Sequence, residues 1–228
     1  MKPLAPGEGI VRRIAARAFP GAVGARVQDG VHDMAVVVRH DGAQVTAVRA
    51  RTLEIPWSTC PEAKDRLQSL VGAKVGADSR AAAAGIDQHF QCTHLLDLAR
   101  FAIGHIARGG TRRYRIAVAP AADRAIEASA VRDGREILRW EIVDGVVTQP
   151  AAFAGHRVGA RADFGDAFEA DADLFETAMM LRRAILVYRG RRRLDPNTRS
   201  AETMTWMTGA CYTFQPVNAA RARRADGG

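Results

Sequence analysis

Cys92-Thr93-His94-Leu95-Leu96-Asp97-Leu98-Ala99-Arg100-Phe101-Ala102-Ile103-Gly104-His105-Ile106 decides how this chain is read. Leu95, Leu98, Ala99, Ala102 and Ile106 recur at helical spacing, so a helix over residues 92–108 turns an apolar face to a core. Gly109-Gly110 stops it. A thiol and an imidazole, Cys92 and His94, stand at its opening, where the free N–H groups and the dipole favour negative charge and lower a thiol's pKa. Taken alone, such a Cys is a small hydrophobe and such a His caps a first turn. A second helix start of the same kind gives the pair more weight. Thr59-Cys60-Pro61-Glu62 has the spacing of a capping box with Pro in the first turn, and Ala63, Leu67 and Leu70 form an apolar face that ends at Gly72.

Both flanks of the helix read as β-meanders. Asp29-Gly30 and Asp41-Gly42 punctuate strands at about 24–28, 31–39 and 43–54, since Asp-Gly between β-branched runs is a hairpin signal. Residues 10–19 give no clean period and fit either a strand or a short helix. Beyond Gly110 the same chemistry returns: strands at 111–119, 125–132, 135–143 and 146–149, with Asp133-Gly134 and Asp144-Gly145 between the last three. Residues 150–171 read as loop. A helix over 173–189 has acids in its first turn and arginines in its last, as the macrodipole prefers. Asp195-Pro196-Asn197 breaks it, a short helix follows at 200–207, and the ordered chain is expected to end near Tyr212. The fold class is α+β: two antiparallel β-meanders, in one or two sheets, with helices packed on one face. A single domain over 10–215, divisible into halves 10–110 and 111–215, precedes a basic flexible tail at 216–228.

The composition narrows the classes of function. At 228 residues and 47% hydrophobic, the chain can bury a substantial core. No apolar run approaches bilayer length, and residues 1–19 lack the continuous apolar stretch of a secretory signal, so the expected location is cytoplasmic, with no membrane partner. The net charge of +8 comes from arginine, since lysine occurs only at Lys2, Lys64 and Lys74. The arginines are scattered except at 189–193 and 221–224, and no aromatics are interleaved with either cluster. The expectation is therefore no nucleic-acid partner and a small anionic or aromatic substrate, which leaves room for a homodimer. Cys60, Cys92 and Cys211 are an odd number, which argues against a disulfide framework and leaves core filler, reactive thiol or metal ligand.

Three readings of the site follow. In the first, some of Cys60, Cys92, His94 and Cys211 hold a metal such as zinc or an iron–sulfur cluster, although no C-x-x-C pair occurs and C-x-H chelates poorly. In the second, which this sequence favours, the protein is a cofactor-independent, metal-free enzyme. His94, or His32 paired with Asp33, is the acid or base, Cys92 and Cys60 line the site, and a thiol nucleophile is a variant. Arg49 and Arg51 anchor a carboxylate, with Trp57 and Cys211 against the substrate. Amides at the two helix starts, facing each other across a shared hollow, steady a developing oxyanion. In the third, these residues are structural and the chain is a binding module, with His89 and His105 on helix surfaces. Phosphate-cradling glycine loops, a G-x-S-x-G elbow and H-E-x-x-H are absent from the sequence.

His32-Asp33-Met34 on an early strand, Cys60-Pro61-Glu62-Ala63 opening a helix, Leu70-Val71-Gly72 closing it, Cys92-Thr93-His94-Leu95 opening the next and Gly209-Ala210-Cys211 near the end resemble the bacterial domain of unknown function 2889 family. The resemblance runs from about residue 12 to residue 211, and Cys-Thr-His-Leu is its most specific motif. Members usually have Gly before that Cys, where this chain has Gln91. The resemblance implies a setting in bacterial catabolism of aromatic compounds, which favours the enzyme class without naming a reaction; the residues themselves make a lyase-type acid–base step on an aromatic or carboxylated metabolite the expected activity. The order of elements over 31–108 is also similar to iron–sulfur scaffold proteins of NifU-like fold, which implies cluster-bearing cysteines. This chain has no cysteine on the meander, and His32-Asp33 stands there instead.

Overall fold

A computed structural model describes residues 3–76, 78, 80–83, 85–122, 124–159 and 171–225. The chain divides into two compact units, one comprising the described residues of Ile14–Thr111 and Asp195–Gly228, the other Pro3–Arg13 and Arg112–Leu194. The class is α+β, and the strands are antiparallel. Among the described residues no helix is long and apolar enough to cross a membrane.

The first unit is a meander in the order β4-β3-β2-β1, made of β1 (Ile10–Phe19, from Ile14 onward), β2 (Ala22–Gln28), β3 (Asp33–His40) and β4 (Val45–Glu54). The run at 10–19 is thus a strand. Its arginines obscured the period, but Ile14 and Ala16 are buried while Arg17 and Phe19 are exposed. On β2 and β3, Val23, Ala25, Val27, Met34, Val36 and Val38 are buried, and the residues between them face outward. Strand side chains alternate with period two, so this sets one apolar face against α1 (Thr93–Ile106), which packs on both strands.

α1 is buried almost all round: Leu96, Phe101, Ile103 and His105 are covered as well as the expected stripe, and Ile106 is only half-buried. A helix apolar on every side belongs inside a unit rather than on its surface. Its other sides are met by Cys60–Leu70 and by the short turn Ala81–Ala83. Cys60–Leu70 is a long 3-10 helix rather than an α-helix, and the capping box does not form. The Thr59 hydroxyl donates to Thr213 Oγ1 at 3.1 Å, and Glu62 pairs with Arg221. The C-terminal segment, read from the sequence as a frayed tail, packs on Cys60–Leu70. The short helix expected at 200–207 is two 3-10 turns, Ala201–Thr203 and Thr205–Met207. α3 (Pro216–Arg221) follows, bridges join Trp57 to Arg224 and Ser200 to Arg223, and the Ala225 amide donates to the Pro56 carbonyl at 3.1 Å. The tail is held because Trp57, Phe214, Ala219 and Ala222 bury apolar surface there. Residues 226–228 lie outside the described residues.

The second unit is a meander in the order β5-β6-β7-β8: β5 (Thr111–Pro120), β6 (Ile126–Arg132), β7 (Arg135–Val143) and β8 (Val146–Gln149). Its two hairpins have positive φ at both central residues, 50° and 87° at Asp133-Gly134 and 48° and 90° at Asp144-Gly145. That is the type I′ geometry for which Asp-Gly is selected. α2 (Ala172–Arg193) packs on β6 and β7, capped by the Asp171 carboxylate on the amides of Asp173 and Leu174. Of the loop expected at 150–171, residues 160–170 lie outside the described residues.

Candidate functional site

The β2–β3 connection, residues 29–32, builds the centre of the site. Asp29 folds its carboxylate back over its own turn, where Oδ1 accepts the amides of Val31 and His32 at 2.9 Å each. This Asx-type turn brings the same carboxylate to His32 Nδ1, at 3.0 and 3.2 Å. Both side chains are out of solvent, 1% exposed for Asp29 and 3% for His32. A carboxylate opposite Nδ1 makes that nitrogen the N–H donor and leaves Nε2 as the acceptor. α1 supplies the second ring. His94, in its first turn, stands with its centroid 4.0 Å from that of His32, the planes at 37°, and is half-buried rather than sealed in.

The sequence had paired His32 with its neighbour Asp33. Asp33, however, begins β3 on the opposite face. It accepts Arg26 Nε at 2.8 Å, Arg26 Nη2 at 2.5 Å and Gln28 at 3.1 Å, and the Arg26 hydrogen bond holds its carboxyl below the usual range. Successive residues of a strand point to opposite sides, so adjacency in sequence separates them. Asp29 is the site residue that sequence reading missed. Its signal was present, an Asp three residues before a His across a turn, but it had been used up as hairpin punctuation.

Cys60, Cys92 and Cys211 gather in the first unit. Cys60 Sγ is 3.6 Å from Thr213 Oγ1, and the Tyr212 amide donates to the Gln91 carbonyl at 2.9 Å, which ties the residue after Cys211 to the residue before Cys92. Gln91 fastens this corner: its side-chain amide reaches the Arg66 carbonyl at 3.3 Å and Ser69 Oγ at 3.4 Å. Thr59–Glu62 and Cys92–His94 therefore belong to one neighbourhood. The thiols behave differently from the expectation. Burial pushes Cys92 up to about 12, and nearby Cys60 and Cys211 add to the rise, although the amides of Leu95 and His94 favour its thiolate. Burial likewise pushes Cys60 up to about 11, against the Thr213 hydrogen bond. Desolvation outweighs the helix start, and both remain neutral thiols at neutral pH. Among the described residues no group of three or more His, Cys, Asp or Glu side chains is arranged to hold a metal.

The remaining candidates are not brought to the histidines. Arg49 and Arg51 pair in register with Val37 and Ala35, on the outward face of the meander, and α1 with His94 packs on the other. Trp57 is buried in the core, its ring 6.0 Å from Phe214 and edge-on to it. His105, expected on a surface, is buried, with Nε2 3.2 Å from the Gly110 carbonyl; His89 Nδ1 is 2.7 Å from the Gly209 carbonyl.

The model of a protein family of unknown function, DUF2889, matches residues 14–107. The match is narrower than the resemblance read from the sequence, and it contains Asp29, His32, Cys60, Cys92 and His94 but not Cys211. No curated protein matches the chain.

Outside the DUF2889 segment the second unit buries a different polar cluster. Tyr114 Oη donates to Glu176 Oε1 at 3.0 Å, and Arg112 Nη1 donates to the same oxygen at 3.2 Å. Arg112 also forks onto both oxygens of Asp173, at 3.1 and 3.2 Å, and Arg132 reaches Asp173 at 3.3 Å. Burial pushes the Tyr114 phenol up to about 12, and the Glu176 charge adds to the rise. A cleft of about 510 Å³ also opens in this unit beside Ile137, Trp140, Pro150, Phe153 and Leu174, and none of the site residues expected from the sequence lines it.

Proposed function

We propose that the DUF2889 segment carries an acid–base enzyme that moves a proton on a small carboxylated or aromatic metabolite, in a lyase-type step needing no cofactor. One observation carries this reading: a solvent-excluded carboxylate fixes the His32 ring, and that ring lies 4.0 Å from a half-buried His94. A core histidine needs one hydrogen-bond partner, whereas a second imidazole tilted against a carboxylate-held ring sets two proton-carrying groups side by side, the residue type general acid–base chemistry uses most often. His94, the more open ring, meets the substrate and takes the proton. Asp29 supplies the single negative charge that balances one imidazolium in the pair, and it holds His32 in one tautomer. In a lyase-type step His94 removes a proton beside the carboxylate, the carbon–hydrogen electrons form the new double bond, and the leaving group departs with its own pair. Cys60 and Cys92, held as neutral thiols, shape the surroundings rather than attack.

The test is proton exchange with solvent. Candidate carboxylic and aromatic acids are incubated with the protein in D₂O, and deuterium incorporation is followed by NMR, which detects proton abstraction even without net turnover. His94→Ala and His32→Ala, checked for an unchanged melting temperature, are expected to slow exchange by on the order of 10²- to 10⁴-fold. Exchange at the full rate in a folded His94→Ala variant overturns the proposal.

A further inference from the structure

The arginines that look scattered along the sequence are collected by the fold. Gly24 pairs with Val37 and Val37 with Arg49, Ala35 pairs with Arg51, and Arg39 with Ala47. Cross-strand partners share a face, so Val37, Arg39, Arg49 and Arg51 all lie on the side of the meander turned away from α1. β1 adds Arg17 and Phe19. The Phe19 ring edge lies over Gly24, which offers no side chain in its way, and the Arg17 guanidinium sits over the ring at 5.1 Å. Phe19 and Val37 are 49% and 45% exposed, and the four arginines are exposed as well. Arg26, on the same face, is already neutralised by Asp33. Among the described residues no carboxylate pairs with Arg17, Arg39, Arg49 or Arg51.

We propose that this outward face binds single-stranded nucleic acid, with the arginines on successive phosphates and a base laid on the Phe19–Arg17 stack. Along a strand, side chains on one face recur roughly every 6.8 Å, and neighbouring strands are about 4.8 Å apart. Arg49, Arg51 and Arg39 thus form a flat lattice of cations on which a flexible phosphodiester chain can settle. An exposed aromatic ring and a guanidinium plane are the two surfaces on which unpaired bases stack, and every base offers a face to them. A duplex hides its bases, and a sheet about 14 Å across four strands is wider than the roughly 12 Å major groove. A second copy of the same face would oppose arginine to arginine. The inference runs against the expectation of no nucleic-acid partner, which rested on arginines that are scattered in sequence but not in space.

The test is fluorescence anisotropy of the full chain with labelled, mixed-sequence single-stranded RNA and DNA of roughly 20 nucleotides, longer than known single-strand site sizes. The same sequence as duplex and vesicles containing anionic lipid serve as the other arms. Single strands are expected to bind more tightly than duplex, with affinity falling as salt rises. The double variant Arg49→Gln/Arg51→Gln should lose on the order of tenfold at low salt, and the logarithmic salt slope should shrink by about 0.7 per arginine removed. Phe19→Ala should weaken binding about tenfold with the slope unchanged, because stacking carries no counterions. Arg192→Gln, in the last turn of α2, should leave binding as it is. All these residues are exposed, and circular dichroism confirms that each variant is folded. Absence of single-strand binding at low salt, equal binding of duplex, binding of vesicles alone, or full affinity in the folded double variant each overturns the proposal.

Discussion

The two units each bury a polar cluster, and the two clusters are built on opposite principles. In the second unit, Arg112 and Tyr114 converge on Glu176, and Arg112 and Arg132 on Asp173, so arginines, a phenol and carboxylates satisfy each other's hydrogen bonds. Such a network fixes the packing of α2 on the sheet and has no reason to change state. In the first unit, one buried carboxylate holds one imidazole, and a second, half-buried imidazole lies 4.0 Å from it. Burial of polar groups is therefore common to scaffold and site. The difference lies in which groups are buried and whether one of them can reach a guest.

The largest expected effect breaks the comparison most directly. Glu176→Leu takes away the acceptor shared by Arg112 and Tyr114 and leaves a buried cation and a phenol under-served, at a cost of about 3–5 kcal/mol. Asp29→Ala removes the acceptor of two amides and one ring, at a cost of about 1–3 kcal/mol, but it should abolish most of the proton exchange. Thermal unfolding of both variants, beside the D₂O assay, gives the two-way table. If Asp29→Ala destabilises as much as Glu176→Leu and leaves exchange untouched, the first cluster is also scaffold and the contrast disappears.

Alkaline pH sharpens the contrast at a second level. A group whose folded pKa lies above its unfolded value contributes stability that is whole below the unfolded pKa and is lost as pH rises through the folded one. Cys60 and Cys92 go from an ordinary 9.0 to about 11 and about 12, so the first unit should begin to lose stability above pH 9. Tyr114 goes from 10.0 to about 12, so the second unit should begin about one pH unit later. Urea denaturation between pH 8 and 11 reads this. Cys92→Val should flatten the part of the loss that starts near pH 9, and Tyr114→Phe the part that starts near pH 10. Thiol labelling at pH 8 supplies the check, since Cys211 should react in the native state and Cys60 and Cys92 only after unfolding.

The same contrast explains what could be read from the sequence. Asp133-Gly134 and Asp144-Gly145 have local chemistry that allows few conformations, so β7 and β8 were legible to the residue. The fold class and α1 were legible because apolar spacing reports a buried face. Cys60–Leu70 and the C-terminal segment were not, since their conformation depends on partners far away in sequence, Thr213 on Thr59 and Arg224 on Trp57. The site was half legible. His32 and His94 were found as residue types at special backbone positions, but the carboxylate that serves His32 was assigned to the adjacent Asp33, because strand alternation places side chains and proximity in sequence does not. The thiolates expected at helix starts failed for an energetic reason: dipole stabilisation near a helix end is about 0.3–1 kcal/mol, and full burial of the charge costs several times more.

The smallest effect belongs to an ion pair that looks the strongest on paper. Arg221 forks onto Glu62 at 2.7 and 2.5 Å, and Tyr212 Oη adds a third bond at 3.1 Å, which together hold the Glu62 carboxyl below its usual range. With a depressed pKa, whatever this carboxylate contributes is present above its unfolded value of 4.5 and is lost as pH falls through the folded value, so it acts only on the acid side. Its two side chains are 41% and 49% exposed, and water and salt screen such a pair almost completely. Glu62→Gln should therefore move the melting temperature at pH 7 by far less than Glu176→Leu, although the two variants each delete one carboxylate bonded to an arginine and a tyrosine. Melting curves of both at low and high salt decide it. Similar losses from the exposed and the buried glutamate would mean that hydrogen-bond geometry, not burial, sets the worth of these clusters, and the distinction drawn between the two units would have to be rebuilt on geometry alone.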